Sequence, residues 1–398
     1  MCIRDSVLGI LGPDCCVGFA ADEFGTVYPG PLQPHALRTQ RNADRHDFVG
    51  RCVSSSCPFT GRRIATGVEG DLLMSELWSL RDVALVSDGT QRISGVTVDV
   101  TSGVTAVLGY SGAGKTSFLN LLVEFERQTA GSIDRKLPDS SVPLFWVPQN
   151  GGLWNHVSAG GHIQKAGSDG ASDSANANEW LKRFDLEARS ASRPAELSQG
   201  ERARLSVARA LATEAAILVM DEPLAHVDPG RLAAYFDVVM EHVRGGSRSL
   251  VFATHQPELV LRYANSVICL DAGSCVFSGS VSDLYQKPAD SRLATLLGPG
   301  NWISTDEFAF WLDHTGHAEG VLRPERLRIE QLDESGGGDG RRFVVTGSRC
   351  LGPTTETTVR EEATDRQRSF VHLTQGALVG GQRVRLSILD EDCSAVNE

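Results

Sequence analysis

The chain predicts an α/β protein with a mostly parallel sheet, followed by a small all-β domain. Two patterns carry that prediction. Between about residues 77 and 300, short apolar runs alternate with helical stretches, as expected for strands buried on both faces. Beyond about residue 300, segments alternate apolar and polar with period two and are split by turn residues. A third feature says where the chemistry sits. "GYSGAGKTS", residues 109–117, follows an apolar strand and opens a helix.

The bulk numbers exclude several classes. At 398 residues the chain has room for two or three domains. A net charge of -12 argues against a general nucleic-acid surface, which needs a basic face. No apolar run approaches the roughly 18–20 residues that cross a bilayer. "VLGILG" at residues 7–12 is short and is stopped by Pro13. Of the 9 cysteines, Cys2, Cys15, Cys16, Cys52 and Cys57 crowd the N-terminus and the others are scattered. None has a downstream His or Cys pair at zinc spacing, so reduced thiols in a reducing compartment are expected.

Residues 1–73 are broken by Gly and Pro and show no sustained period of 2 or 3.6. They read as an irregular extension, either disordered or translated from upstream of a true start at Met74. Mass spectrometry of the native N-terminus tests the second reading, and peptides from residues 1–73 would sink it. From Met74 the grammar is orderly. "WSLRDVALV", "GVTVDV" and "VTAVLG" are strand-like, and Lys115 to about Arg127 reads as a helix with Phe118, Leu119, Leu122 and Phe125 on one side. "VPLFWVPQ", "AAILVM" and "SLVFAT" are further buried strands, and polar residues 164–178 read as a surface excursion. The expected division is an extension at 1–73, an α/β domain at 74–300, a linker at 301–318 and a β domain at 319–392. "SGGGDG" at 335–340 is a hairpin loop of the last.

The loop at 109–117 fits G-x-x-x-x-G-K-[ST]. Its glycines let backbone N–H groups wrap phosphates, and the helix start adds partial positive charge. Gly109, Ser111, Gly112, Ala113, Gly114, Lys115, Thr116 and Ser117 are the candidate cradle, with Lys115 on the β and γ phosphates and Thr116 on Mg²⁺. "AAILVMDEP" supplies acids: Asp221 on the Mg²⁺ side, and Glu222 to polarise a water. The same acids could instead cap a helix whose first residue is Pro223. A second helix start, "LSQGE" at 197–201, also looks built to meet an anion, yet lies some eighty residues away.

With these motifs in order, residues 77–300 resemble the ATP-binding cassette family, specifically the ATPase subunits of transporters. The resemblance implies a P-loop NTPase core with a helical subdomain. His255 is similar to the family's switch histidine. Gln149 resembles the lid glutamine that touches Mg²⁺, and Asp228 the dimer-contact aspartate. "LSQGE" resembles the signature usually written LSGGQ. The resemblance answers the puzzle of two helix starts. Two copies pack head to tail, and each ATP lies between one chain's phosphate loop and the other's Ser198 and Gly200. Catalysis then falls to Glu222, His255 and Lys115, with Thr116, Gln149 and Asp221 as metal ligands and ATP and Mg²⁺ as cofactors.

Three departures stand out. The signature has Gln199 and Glu201 where Gly and Gln are usual. The dimer loop reads Ala225-His226-Val227-Asp228 instead of Ser-Ala-Leu-Asp. The family often stacks adenine on an aromatic about thirty residues before the lysine, where Leu85 is expected here, with Trp78 too early. Relaxed base choice follows.

The end of the chain selects a branch. "VLRPERLRI" with Arg323-Pro324-Glu325, "SRCLGPTTETTV" and "GGQRVRLSI" resemble the transport-associated OB-like domain of importer ATPases for polyamines, iron(III), oxyanions and sugars. The resemblance implies a homodimer on the cytoplasmic face of the cell membrane, working with a permease and a solute-binding protein, without nucleic acid. Trp154 and His156 are expected either to meet the permease or to pack locally. The alternatives are an exporter ATPase, or a soluble non-transport member of the family.

Overall fold

The computed structural model describes residues 19–21, 27–29, 75–167, 174–332, 341–374, 376 and 378–389. Its contacts divide the chain into two units, Met1–Leu73 and Met74–Glu398. In the first, β1 (Phe19–Ala21) and β2 (Val27–Pro29) pair antiparallel. The rest of the expected extension, the 335–340 loop and residues 168–173 of the polar excursion lie outside the described residues.

The second unit opens with a hairpin of β3 (Glu76–Ser87) and β4 (Thr90–Thr101). Asp88 and Gly89 turn it with φ of 52° and 73°, the positive pair that suits the twist of a two-residue hairpin. Next come β5 (Val104–Leu108), α1 (Lys115–Leu122), β6 (Ala130–Arg135) and β7 (Leu144–Val147). Helices α2 (Ala159–Ala166), α3 (Ser174–Arg183) and α4 (Gln199–Ala212) follow. The chain then returns through β8 (Ile217–Asp221), α5 (Pro229–Gly245), β9 (Ser249–Thr254), α6 (Pro257–Tyr263), β10 (Ser266–Asp271) and β11 (Ser274–Ser280). Two short helices, α7 (Val281–Gln286) and α8 (Ser291–Leu296), close this part.

Six strands make the central sheet in the order β11-β10-β5-β9-β8-β7. All run parallel except β11. Strands β5, β8 and β9 are buried along their whole length because both faces are covered. Alternate side chains serve different cores. Leu218 and Met220 pack towards the helices, while Ile217 and Val219 pack towards α1 and the antiparallel β4-β3-β6 sheet.

Helix α1 stops at Leu122, short of the expected Arg127. A further turn would need the Leu122 carbonyl to accept from Glu126, but buried Trp78 donates its indole N–H to that oxygen at 2.9 Å. Glu124 turns to φ 58° and Phe125, expected on the apolar side, is 67% exposed. Cys269, Cys275 and Cys350 are free thiols, and burial pushes Cys269 up to about 12, which keeps it protonated.

Residues 301–318 are not a bare linker. They form β12 (Asn301–Ile303) and α9 (Thr305–Leu312), and Ile303, Phe308, Trp311 and Leu312 join the core of the β domain. The sequence carries the signal: Ser304 and Glu307 form a capping box, with Ser304 N–H donating to Glu307 Oε2 at 3.0 Å. β13 (Gly320–Leu322) pairs with β12. Then β14 (Leu327–Gln331), β15 (Phe343–Cys350), β16 (Thr354–Glu361), β17 (Gln367–Leu373) and β18 (Arg383–Ile388) build an antiparallel sheet. Its order is β14-β18-β15-β16-β17.

Arg323 ties this domain to α7 and α8. Its Nε donates to the Tyr285 carbonyl and its Nη1 to that of Ala294, both at 2.9 Å. The guanidinium lies 4.1 Å from the Tyr285 ring centre, and the Tyr285 hydroxyl donates to Glu325 at 2.8 Å. The Arg-Pro-Glu run is therefore a fastener. Five donors in a rigid fork suit it to cap several helix-end carbonyls at once.

Candidate active site

Strand β5 ends at Leu108 and the chain turns into α1. A side chain at Gly109 would come within 2.5 Å of the Leu270 carbonyl on β10, so only glycine fits. Gly112 and Gly114 take φ of 82° and 101°, in the left-handed region. Gly114 is the N-cap of α1 without a side-chain cap, and no acid stands in the first turn. The N–H groups of that turn are left for an anion. Lys115 folds back over the loop, donating Nζ to the carbonyls of Gly109 at 2.9 Å and Tyr110 at 3.2 Å.

Strand β8 delivers Asp221, which is 1% exposed. Its Oδ2 accepts from the Thr116 hydroxyl at 2.6 Å. Its Oδ1 is buried with no hydrogen-bond partner among the described residues, and burial raises the carboxyl's pKa. A half-paired buried carboxylate of this kind gains from a nearby cation. Asp221, Thr116 and Gln149 line one cleft and offer a carboxylate, a hydroxyl and an amide oxygen. Hard oxygen donors with few carboxylates suit Mg²⁺ shared with phosphates.

Glu222 continues the strand end. Its carboxylate oxygens both lie 2.9 Å from His255 Nδ1, so that nitrogen donates, and Oε1 is 3.8 Å from Lys115 Nζ. The acids do not cap a helix at Pro223. Helix α5 starts only at Pro229, with Asp228 as its N-cap. Glu222 N–H is instead committed to the Ala253 carbonyl at 3.1 Å, which holds the chain against β9. Between the two, Glu222, Leu224 and His226 take φ of 47°, 61° and 62°. Three left-handed residues other than glycine in five is strain, of the kind found at functional loops.

The cleft has a volume of about 720 Å³. Ser111, Gly112, Gly114, Lys115, Thr116 and Ser117 line it with Gln149, Asp221, Glu222 and His255. Gly109 and Ala113 do not: Gly109 backs onto β10, and Ala113 is buried in the core. Ser198, Gly200 and Asp228 line a different depression. Ser198 is the N-cap of α4, and its hydroxyl accepts from Glu201 N–H at 3.1 Å while Glu201 accepts from Ser198 N–H at 2.7 Å. That reciprocal box accounts for the acid at 201, whose pKa the Ser198 N–H lowers. A Cβ at Gly200 would meet the His226 carbonyl at 2.9 Å, and His226 borders both depressions.

Sequence reasoning missed part of the wall. Thr90, Gln91, Arg92 and Tyr110 line the cleft, with Ala225 and His226. Leu85, expected at the base position, is 3% exposed and packs in the core. The wall comes instead from residues just past the Asp88-Gly89 turn, a hairpin signal legible in the sequence. Trp154 is half-exposed and also packs: it stacks on His162 with ring centres 5.5 Å apart, and Arg209 sits 5.5 Å from its centre.

Two family models match the chain. That of the ABC transporter spans residues 93–225, and that of the TOBE domain spans 320–396. Residues 93–225 are thus an ABC transporter domain and residues 320–396 a TOBE domain. An Fe(3+) ions import ATP-binding protein of Serratia marcescens is 28% identical over 311 residues, covering 72% of this chain and 89% of that protein. Its counterpart in Pseudomonas fluorescens is 29% identical over 313 residues, with the same coverage. A molybdenum import ATP-binding protein of Paramagnetospirillum magneticum is 32% identical over 200 residues, covering 47% of this chain and 55% of that one. As an ABC ATPase, the chain binds and hydrolyses ATP.

Glu222→Gln keeps the shape of the acid and removes its basicity. Hydrolysis is expected to fall by roughly 10²–10⁴-fold, the usual contribution of a positioned base, while ATP binding is retained. Phosphate release in a single turnover, beside equilibrium nucleotide binding, checks both halves. An unchanged rate contradicts the assignment.

Proposed function

We propose that the chain is the ATP-hydrolysing subunit of an import system, in which two copies close on ATP against a membrane permease. The carrying observation is the separation of parts. Lys115, Thr116, Asp221, Glu222 and His255 share one cleft, whereas Ser198, Gly200 and Asp228 open on another face of the same chain. In this reading each ATP is gripped by the phosphate loop of one copy and the Ser198–Gly200 helix start of its partner. Neither copy holds a complete site alone.

Lys115 leaves its two carbonyls to meet the β and γ phosphates as the α1 N–H groups wrap them. Glu222 accepts a proton from the attacking water, and His255 holds the Glu222 carboxylate through Nδ1 and contacts the γ phosphate. Thr116, Gln149 and Asp221 would hold Mg²⁺, which neutralises phosphate charge when bound. Asp228, from the partner, completes the interface. Binding closes the dimer, closure moves the permease, and hydrolysis reopens it.

Import over export is favoured by the TOBE match and by the import proteins among the relatives. Those relatives' names favour iron(III) or molybdenum, the latter carried as an oxyanion in this proposal, ahead of polyamines or sugars, and a solute-binding protein would deliver the cargo. Among the described residues no helix is long and apolar enough to cross a membrane. In this proposal the permease supplies the path, and the chain sits on the cytoplasmic face, with the exposed Trp154 surface facing the permease.

Affinity capture of the Glu222→Gln chain with ATP and Mg²⁺ from detergent-solubilised native membranes tests this. Recovery of a permease supports transport. Recovery of soluble partners alone, by a preparation that dimerises with ATP, would remove the importer reading.

A further inference from the structure

We propose that Arg92 is the nucleobase platform of this cleft, and that the site accepts guanine as well as adenine nucleotides. The proposal rests on the reading of the cleft as the ATP site. With the phosphates at Gly112–Thr116, the base falls towards the remaining wall, where Arg92 and Tyr110 stand. The hairpin offers no aromatic there. Its single aromatic residue, Trp78, is fully buried in the core, and so is Leu85.

Arg92 is placed by its own backbone. A Cβ on Gly114 would come within 2.9 Å of the Arg92 carbonyl, and one on Gly273 within 2.6 Å. The Arg92 backbone therefore runs directly beside the N-cap of α1, and its side chain lines the same cleft. Its nitrogens are then steadied by acids. Nη1 lies 3.4 Å from Glu126 Oε1, and Nη2 lies 4.0 Å from Asp88 Oδ2. Glu126 is itself fixed, its Oε2 accepting from Asn120 Nδ2 of α1 at 2.9 Å. The Glu126 contact is a hydrogen bond, and no aromatic ring among the described residues lies over the guanidinium.

A planar, delocalised cation with a free face stacks on any base. The Arg92 side chain is 41% exposed, so part of its conformational freedom is already lost before binding.

Displacement of a fluorescent nucleotide from the full chain tests this, with ATP, GTP and inorganic triphosphate as competitors. ATP and GTP are expected to compete within about threefold of each other, the range of stacking without base readout. Arg92→Ala weakens both by about tenfold and leaves inorganic triphosphate within about twofold. Arg92→Lys, which keeps the charge without the plane, behaves like Arg92→Ala. The proposal is overturned if ATP outcompetes GTP by about 100-fold or more. It is also overturned if Arg92→Ala changes neither nucleotide, or weakens all three ligands alike. Loss on Tyr110→Ala alone gives the platform to the tyrosine and overturns it too. A wild-type chain that binds neither nucleotide nor triphosphate, like its Lys115→Ala variant, overturns the phosphate-loop reading itself.

Discussion

The hydrogen bond between Thr116 and Asp221 is the interaction on which the site depends. It joins residues 105 apart, one in the first turn of α1 and one at the end of β8. Parallel pairing makes it possible. Leu108 of β5 lies opposite Thr254 of β9, and Ala253 opposite Asp221 of β8. The phosphate loop, Asp221 and His255 thus leave the sheet at one edge, the carboxyl edge where ligands bind in open α/β sheets. A slip of one residue in β8 would turn Asp221 from that edge and expose its apolar neighbours to the wrong core. The two cores either side of the sheet are what forbid the slip.

The same edge carries the strain. Burial of Asp221 without a second partner disfavours its charged form, and the loop after it runs through three left-handed residues. Both are costs of folding, of order 1–3 kcal/mol per strained residue. They place Glu222 against His255 and bring the His226 carbonyl onto Gly200. The loop after β8 therefore carries Glu222 at one end and meets the start of α4 at the other. A substitution at Gly200 would push on the loop that carries Glu222, since a methyl group there meets backbone.

Much of this was legible in the residues. The phosphate loop, the buried strand before Asp221 and the strand before His255 declare themselves because long apolar runs and glycine spacing are local signals. Leu85 did not, because which face of a hairpin residue meets a cleft depends on pairing, and β3 shifts register against β4 between Val83 and Leu85. The early end of α1 was hidden for a similar reason: the acceptor it lacks is taken by Trp78, 44 residues away. Residues 301–318 read as a linker in the sequence although Ser304 and Glu307 announce a helix start. That signal is short, and the apolar face it introduces finds its partners only in strands from 343 onward. The acid at 201 was visible as a departure from the family pattern, but its use in the cap needed coordinates.

The parts that the family pattern would bring to one nucleotide lie in two places on this chain, and the proposed dimer would unite them. The most direct test is the rate of ATP hydrolysis per chain as the concentration of the chain is varied, with the oligomeric state followed by sedimentation. Activity per chain is expected to rise with concentration and to follow the dimer fraction. Activity per chain that stays constant while the protein remains a monomer would contradict it.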